Sequence, residues 1–334
     1  MAGNVYNKIY NQTDWDAVLP ENKTLLDDFL VELRQNRRAR GTISQYFNDL
    51  RIFLIFVSKR LENRNVLSLS KRDLKNFSLW LTEECGVSVA RHNRLLSSMR
   101  SIFNYCEEDD EREYTNDVAR KIKGLSGEPV REIEFLSDAQ VLKVEEELIK
   151  REKYQLATLL MLAYDSAGRR NELAQVTKDS FYNEKNSLTN KVIGKRRKSF
   201  SLAYFNETKK CAKLWLAQRG ADEFQHMWVY KKSGILYPVN SAKIYSLFME
   251  IKDVLTQLEG TETNFNVHSM RHSALQNFSD GSHYVCRTLN LGKLNLQVLK
   301  TIANHEKIDT TEGYLKEDRL SVLDEIFGIR SNNT

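Results

Sequence analysis

The chain has 334 residues, 41% of them hydrophobic, and a formal net charge of +5, which is too long for one ordinary core and enough for two. No apolar run is long enough to cross a bilayer, and the opening residues lack the apolar stretch of a secretory signal. Four widely spaced cysteines form neither a disulfide framework nor a zinc site, so a cytoplasmic protein without a structural metal is predicted. Only 14 Gly and 3 Pro predict a helix-rich chain with short connections, and the mild positive charge permits nucleic-acid binding.

Residues 1–20 are polar and close on Pro20, giving an N-terminal extension. Helical periodicity then begins. Leu25, Phe29 and Leu33 recur at one-turn steps. Thr42 or Ser44 can cap a helix whose stripe is Tyr46, Leu50, Phe53, Leu54 and Val57. Ser70 precedes a third helix with Leu74, Phe77 and Leu81 on one face. Ser88 opens a fourth with Leu95, Met99, Ile102, Phe103 and Cys106 as its buried stripe, and residues 115–123 read as a short fifth. Helices joined by short loops predict a bundle over about 21–125.

Arg38 and Arg40 belong to a basic cluster before the second helix. Arg91 and Arg94, three apart, share a helix face away from the apolar stripe. Both pairs are candidates for DNA contact, the alternative being a solvated basic face. Two glycines and a proline within the polar stretch GLSGEPVREIE mark a linker, taken as 126–134, before a second domain over 135–334. Ser137 and Gln140 form a capping-box pattern, LATLLMLAYDSAG reads as a buried helix, and the alternation in 190–204 predicts a β-hairpin. Helices resume after 207.

Six residues of this second domain make a coherent set for phosphate chemistry: Arg169 in SAGRRNEL, Lys195 in VIGKRRKSF, His268 and Arg271 in HSMRHS, and His305 and Tyr314 in NHEKIDTTEGY. Planar guanidiniums suit two non-bridging phosphate oxygens. His268 and Arg271, three apart, point the same way on a helix. A phenol with its ordinary pKa of ~10 needs neighbouring cations to ionise at neutral pH.

In order and spacing the set resembles the tyrosine site-specific recombinases, the phage integrases and their Xer-like relatives, and the resemblance runs from about residue 21 to 327. It implies a mainly α protein: an N-terminal helical core-binding bundle, then a mixed α/β catalytic domain with a small β-hairpin. It implies that Tyr314, nine residues after His305, attacks a DNA phosphate to give a 3′-phosphotyrosine. Arg169 and Arg271 would grip the phosphate, His268 would transfer a proton, and Lys195 would protonate the departing 5′-oxygen, with Lys198 as second candidate. Glu172 and His272 would support them, and Arg196, Arg197 and Lys198 would meet the DNA backbone. No cofactor or metal is implied.

The implied partners are double-stranded DNA with inverted half-sites and further copies of the chain, as a dimer on each site and a tetramer in synapsis, in the nucleoid. Two departures stand out. Asn304 replaces the usual glycine before the late histidine, and the stretch from His268 to His305 is longer than in compact members, with the excess around GSHYVCRTLNLGKLNLQ. A repressor of the same fold that binds an operator without cutting is therefore the main alternative, with relaxation of supercoils a lesser one. Beyond Tyr314, Leu320, Leu323 and Phe327 recur at helical spacing in a tail that either docks on a neighbouring protomer or folds back on its own domain.

Overall fold

A computed structural model describes residues 9–109, 114, 118–126, 134–194 and 197–304. The chain folds as two compact units, Met1–Arg131 and Glu132–Thr334.

The first unit is built on α1 (Gln12–Asp16), α2 (Pro20–Gln35), α3 (Arg40–Arg60), α4 (Lys71–Leu79) and α5 (Val89–Glu108). Pro20 opens α2 at the position where a missing N–H costs nothing. Every residue of α3 from Ile52 to Val57 is buried, so its second half lies inside the bundle rather than on its surface. Ser70 and Asp73 cap α4 reciprocally, and Ser88 caps α5. Phe53, Phe56, Phe77 and Phe103 meet ring to ring at the centre. The extension packs as well: Arg51 lies 3.8 Å from the Tyr10 ring centroid and 4.9 Å from that of Trp15, contacts that polarity alone does not signal. Of the short helix expected over 115–123, residues 118–121 are a turn and 122–123 are not helical. Ala119 and Ile122 reach the core from that turn, so burial there does not need a helix.

The second unit begins with α6 (Asp138–Lys150), held at its start by the expected Ser137–Gln140 capping box. Next comes α7 (Tyr154–Ser166), buried from Leu156 to Ser166. After the short α8 (Arg170–Leu173), β1 (Leu188–Ile193) and β2 (Ser199–Ala203) form the expected antiparallel hairpin. α9 (Asn206–Arg219) follows. A second hairpin, β3 (Val229–Lys232) with β4 (Ile235–Pro238), turns at Ser233 and Gly234. It interrupts what periodicity predicts as helices alone after 207. Both turn residues have positive φ, which Gly adopts without cost. The unit continues with α10 (Ser241–Glu259), α11 (Val267–Asp280), α12 (Tyr284–Thr288) and α13 (Leu296–Ala303).

Within the unusually long stretch between His272 and His305, residues 283–286 are buried in this core, whereas 287–293 are exposed. Tyr284 donates from its backbone N–H to Asp138 Oδ1 at 2.7 Å and from its hydroxyl to Asp165 Oδ1 at 2.7 Å. Asp165 Oδ2 accepts from Thr208 Oγ1 at 2.6 Å and from Phe205 N at 2.8 Å. Burial pushes the Asp165 carboxyl up to about 7. His283, wholly buried, stacks between Phe278 at 3.8 Å and Tyr164 at 4.0 Å. α12 is therefore tied to α6, α7 and α9 rather than looped out.

Candidate active site

The site starts where α7 stops. Ala167 ends that helix in the left-handed region, φ 48°, which turns the chain sharply. The next residue is close-packed, since a Cβ on Gly168 would lie 2.9 Å from Ser166 Oγ and 3.0 Å from Leu173 Cδ2. Arg169 then caps α8. Its backbone N–H donates to Glu172 Oε2 at 2.8 Å and its Nη1 to Oε1 at 3.1 Å. The Glu172 side chain is almost fully buried while that of Arg169 is 30% exposed, so a hidden carboxylate steadies a guanidinium that still faces outward. Of the two adjacent arginines, it is Arg169 that takes this partner.

α11 supplies the facing wall. Asn266 caps it by accepting from His268 N at 2.8 Å and Ser269 N at 3.3 Å. His268 and Arg271, three apart, project the same way. Arg271 is only 2% exposed. Its Nη1 donates to the Ala167 carbonyl and its Nη2 to the Ala303 carbonyl at 2.7 Å. His272 lies one position further round and is buried, with its Nε2 3.2 Å from that of His268. Burial, then Arg271 and Arg169, lower the pKa of His268, which favours its uncharged form.

Together Gly168, Arg169, Arg170, Tyr245, Asn266, Val267, His268 and Arg271 line a concave pocket of about 240 Å³. Three arginines and a histidine on one hollow suit a phosphodiester. Tyr245 is absent from the set drawn from the sequence, although it falls outside the α10 stripe of Ile244, Leu247, Phe248 and Ile251 and is 46% exposed.

The β1–β2 hairpin reaches the same place. A Cβ on Gly194 would lie 3.1 Å from Glu172 Oε1, which sets the end of β1 against the carboxylate that holds Arg169. Lys195 follows Gly194 in the chain; it and Arg196 lie outside the described residues, as do His305, Tyr314 and the apolar tail. Arg197 and Lys198 are exposed on the hairpin's return. The chain approaching His305 passes through Ala303, whose carbonyl Arg271 holds, and Asn304, whose φ of 52° is left-handed. Asn is the commonest non-glycine residue there, which accounts for the departure from glycine at that position.

Of the basic residues in the first unit, Arg38 and Arg40 are exposed. Arg91 is directed inward: its Nη1 lies 2.6 Å from the buried Asp49, and its side chain is 12% exposed. Arg94 reaches the same carboxylate at 3.4 Å with its side chain 46% exposed.

A two-unit, mostly helical chain of this kind has counterparts among known proteins. The family model for the phage integrase N-terminal SAM-like domain matches residues 25–113, and the phage integrase family model matches residues 134–320. The chain belongs to the phage integrase family, the tyrosine recombinases.

The fold resembles that of the XerH site-specific recombinase bound to a palindromic difH substrate, at 18% identity and TM-score 0.65, over 97% of this chain and 92% of that one. A lambda integrase dimer bound to a COC′ core site is similar at 11% identity and TM-score 0.63, over 89% and 95%. The Tn1549 transposon integrase with circular intermediate DNA is similar at 17% identity and TM-score 0.60, over 90% and 98%. No curated protein matches the chain.

Proposed function

We propose that this protein is an active site-specific DNA recombinase that cuts and rejoins strands through Tyr314, serving the integration, excision or resolution of a mobile element. The observation that carries the reading is the pocket itself. Arg169, His268 and Arg271 come together from two helices around one hollow; Glu172 anchors the Arg169 guanidinium and two backbone carbonyls that of Arg271, while the Asn266 cap fixes the backbone at His268. Such anchoring keeps donors fixed where charge develops, and this is how electrostatic catalysis works.

In this scheme Arg169 and Arg271 hold the non-bridging oxygens of the scissile phosphate. Tyr314 attacks phosphorus, and the Tyr314 proton passes to His268 or His305. The P–O5′ bond breaks, and Lys195 protonates the departing oxygen, leaving a 3′-phosphotyrosine and a 5′-hydroxyl. Rejoining is the reverse reaction on a partner strand. Arg38, Arg40, Arg94, Arg196, Arg197 and Lys198 contact the DNA backbone, with Arg91 acting through Asp49 on Arg94. The DNA carries inverted half-sites, each site holds two protomers, and four assemble in synapsis; the protein works in the cytoplasm on nucleoid DNA.

The test is a nicked suicide substrate carrying the terminal sequence of a candidate element. The wild-type protein is expected to give a slowly migrating covalent adduct on a denaturing gel, and Tyr314→Phe to give none. Tight binding by the wild type without any adduct would select the repressor instead.

A further inference from the structure

β1 is fastened to the segment after α8 by side-chain amides. Gln175 Oε1 accepts from Ile193 N at 2.9 Å, and its Nε2 donates to the Ile193 carbonyl at 3.0 Å and to the Asn171 carbonyl at 2.7 Å. One amide thus satisfies both backbone groups of the last residue of β1, as a neighbouring strand would. Asn190 makes the converse pair: its Oδ1 accepts from Thr177 N at 2.9 Å, and its Nδ2 donates to the Gln175 carbonyl at 3.1 Å. Beyond Ile193, Gly194 packs against Glu172. Arg169, Glu172, Gln175 and the end of β1 therefore form one continuous bonded unit, and the residue that leaves it is Lys195.

We infer that Gln175 is a positioning residue for cleavage: its amide sets where the β1–β2 hairpin delivers its proton-donating lysine relative to the phosphate held by Arg169. The inference rests on the recombinase reading. In the cleavage step the Tyr314 oxygen bonds to phosphorus while the P–O5′ bond breaks, and O5′ takes a proton from the lysine ammonium. Loosening the clasp slows that proton transfer and leaves attack and phosphate grip intact. Sulfur in place of the bridging 5′-oxygen removes the need for the proton, because a thiol of pKa about 8.5 departs as its thiolate.

The experiment compares wild type, Gln175→Ala and Gln175→Glu on nicked substrates with oxygen or sulfur at the 5′-bridging position. Gln175→Glu keeps the size of the side chain but turns an acceptor toward the Ile193 and Asn171 carbonyls, so it decides the matter if the alanine variant does not fold. On oxygen both variants are expected to lose about 10–10²-fold in cleavage rate, part of the 10²–10⁴ that a positioned proton donor contributes. On sulfur they are expected to stay near wild type, as Lys195→Ala does, whereas Arg271→Ala loses both. Equal loss on the two substrates, or no loss on either, overturns the role of Gln175. A wild-type protein that binds both substrates and cleaves neither refutes the recombinase reading, and the role of Gln175 falls with it.

Discussion

Arg271 and Ala303 are joined by a 2.7 Å hydrogen bond from Nη2 to the backbone carbonyl, and the same guanidinium also donates to the carbonyl of Ala167. One buried side chain thus ties the turn before Arg169 to the end of α13, from which the chain runs toward His305 and Tyr314. Arg169 has a different setting. It is partly exposed and its partner is a side chain, Glu172.

Arg169→Ala and Arg271→Ala should therefore fail differently. Each removes a preorganised donor from the transition state, at a cost of about 2.7–4 kcal/mol or about 10²–10³ in cleavage rate. DNA affinity should change little, because it is spread over many backbone contacts. Arg271→Ala should also lower stability, by about 1–3 kcal/mol for each buried carbonyl left without its donor, and Arg169→Ala should lower it by a different route, leaving the almost fully buried Glu172 carboxylate without its cation. Single-turnover cleavage, gel-shift titration and thermal melts read the three effects. An Arg169→Ala variant that loses DNA binding while still folded would contradict the assignment.

Asn304 provides a backbone test. Its φ of 52° suits Asn and suits Gly better, whereas a plain Cβ is strained there by about 1–2 kcal/mol. Asn304→Gly should match wild type in melting temperature and cleavage, and Asn304→Ala should lose in both. Equal behaviour of the two variants would remove the conformational explanation for this departure.

Much of this architecture was legible in the sequence because it depends on local periodicity and capping. The stripes of α2 to α5, the Ser137–Gln140 box and the first hairpin are all of that kind. The expected Thr42 or Ser44 cap is not: α3 starts at Arg40 after Ala39 with no side-chain cap, and both residues lie inside the helix. The i, i+3 spacing of His268 and Arg271 also placed them correctly on one helix face. Long-range polar pairing was not legible. Arg91 looked like a surface cation, yet its guanidinium lies against Asp49, a residue 42 positions earlier that is buried on α3. Gln175 and Asn190 have no sequence signature, since each acts on the backbone of a segment that only the fold brings alongside. His283 sits in the stretch that read as excess, and its two stacking partners lie on α7 and α11.

Burial drives the His283 imidazole down to about 3, below its ordinary value of about 6.5. The fold thus favours the neutral ring, and that contribution is complete above the unfolded value. As pH falls below about 6.5 the unfolded chain takes up a proton that the folded chain refuses until about 3. Stability should therefore decline across that window. Phe at this position keeps the stack and has no such proton, so His283→Phe should flatten the acid side of the melting-temperature profile by one proton's worth. Parallel profiles for the two proteins would show that His283 does not contribute.

Cleavage is expected to persist in EDTA. Two arginines and a lysine can stabilise the phosphorane charge that a divalent ion stabilises elsewhere. The described lining of the pocket offers a cation three guanidiniums and no carboxylate. Loss of adduct in chelator, restored by Mg²⁺, would show a different chemistry.

Gly194→Ala probes the junction between hairpin and pocket most directly. A Cβ there would meet Phe200 Cε1 at 2.6 Å, Phe200 Cζ at 3.1 Å and Glu172 Oε1 at 3.1 Å. Real Cβ contacts are not that short, so either the Phe200 ring swings out from β2 or Gly194 backs away from Glu172. Both responses shift the end of β1, and the second also disturbs the carboxylate that accepts from Arg169 N and Nη1. Cleavage should therefore fall, with overall stability lowered only modestly, because overpacking typically costs about 1–3 kcal/mol and this site lies at the surface end of a hairpin. Phe200→Leu in the same chain removes the ring and gives the new methyl somewhere to go. It should restore part of the cleavage rate if the ring is the obstacle, and none if contact with Glu172 dominates. Single-turnover rates of the two variants and their combination measure that coupling as a double-mutant cycle, and a Gly194→Ala protein that cleaves at the wild-type rate would separate the hairpin from the catalytic pocket.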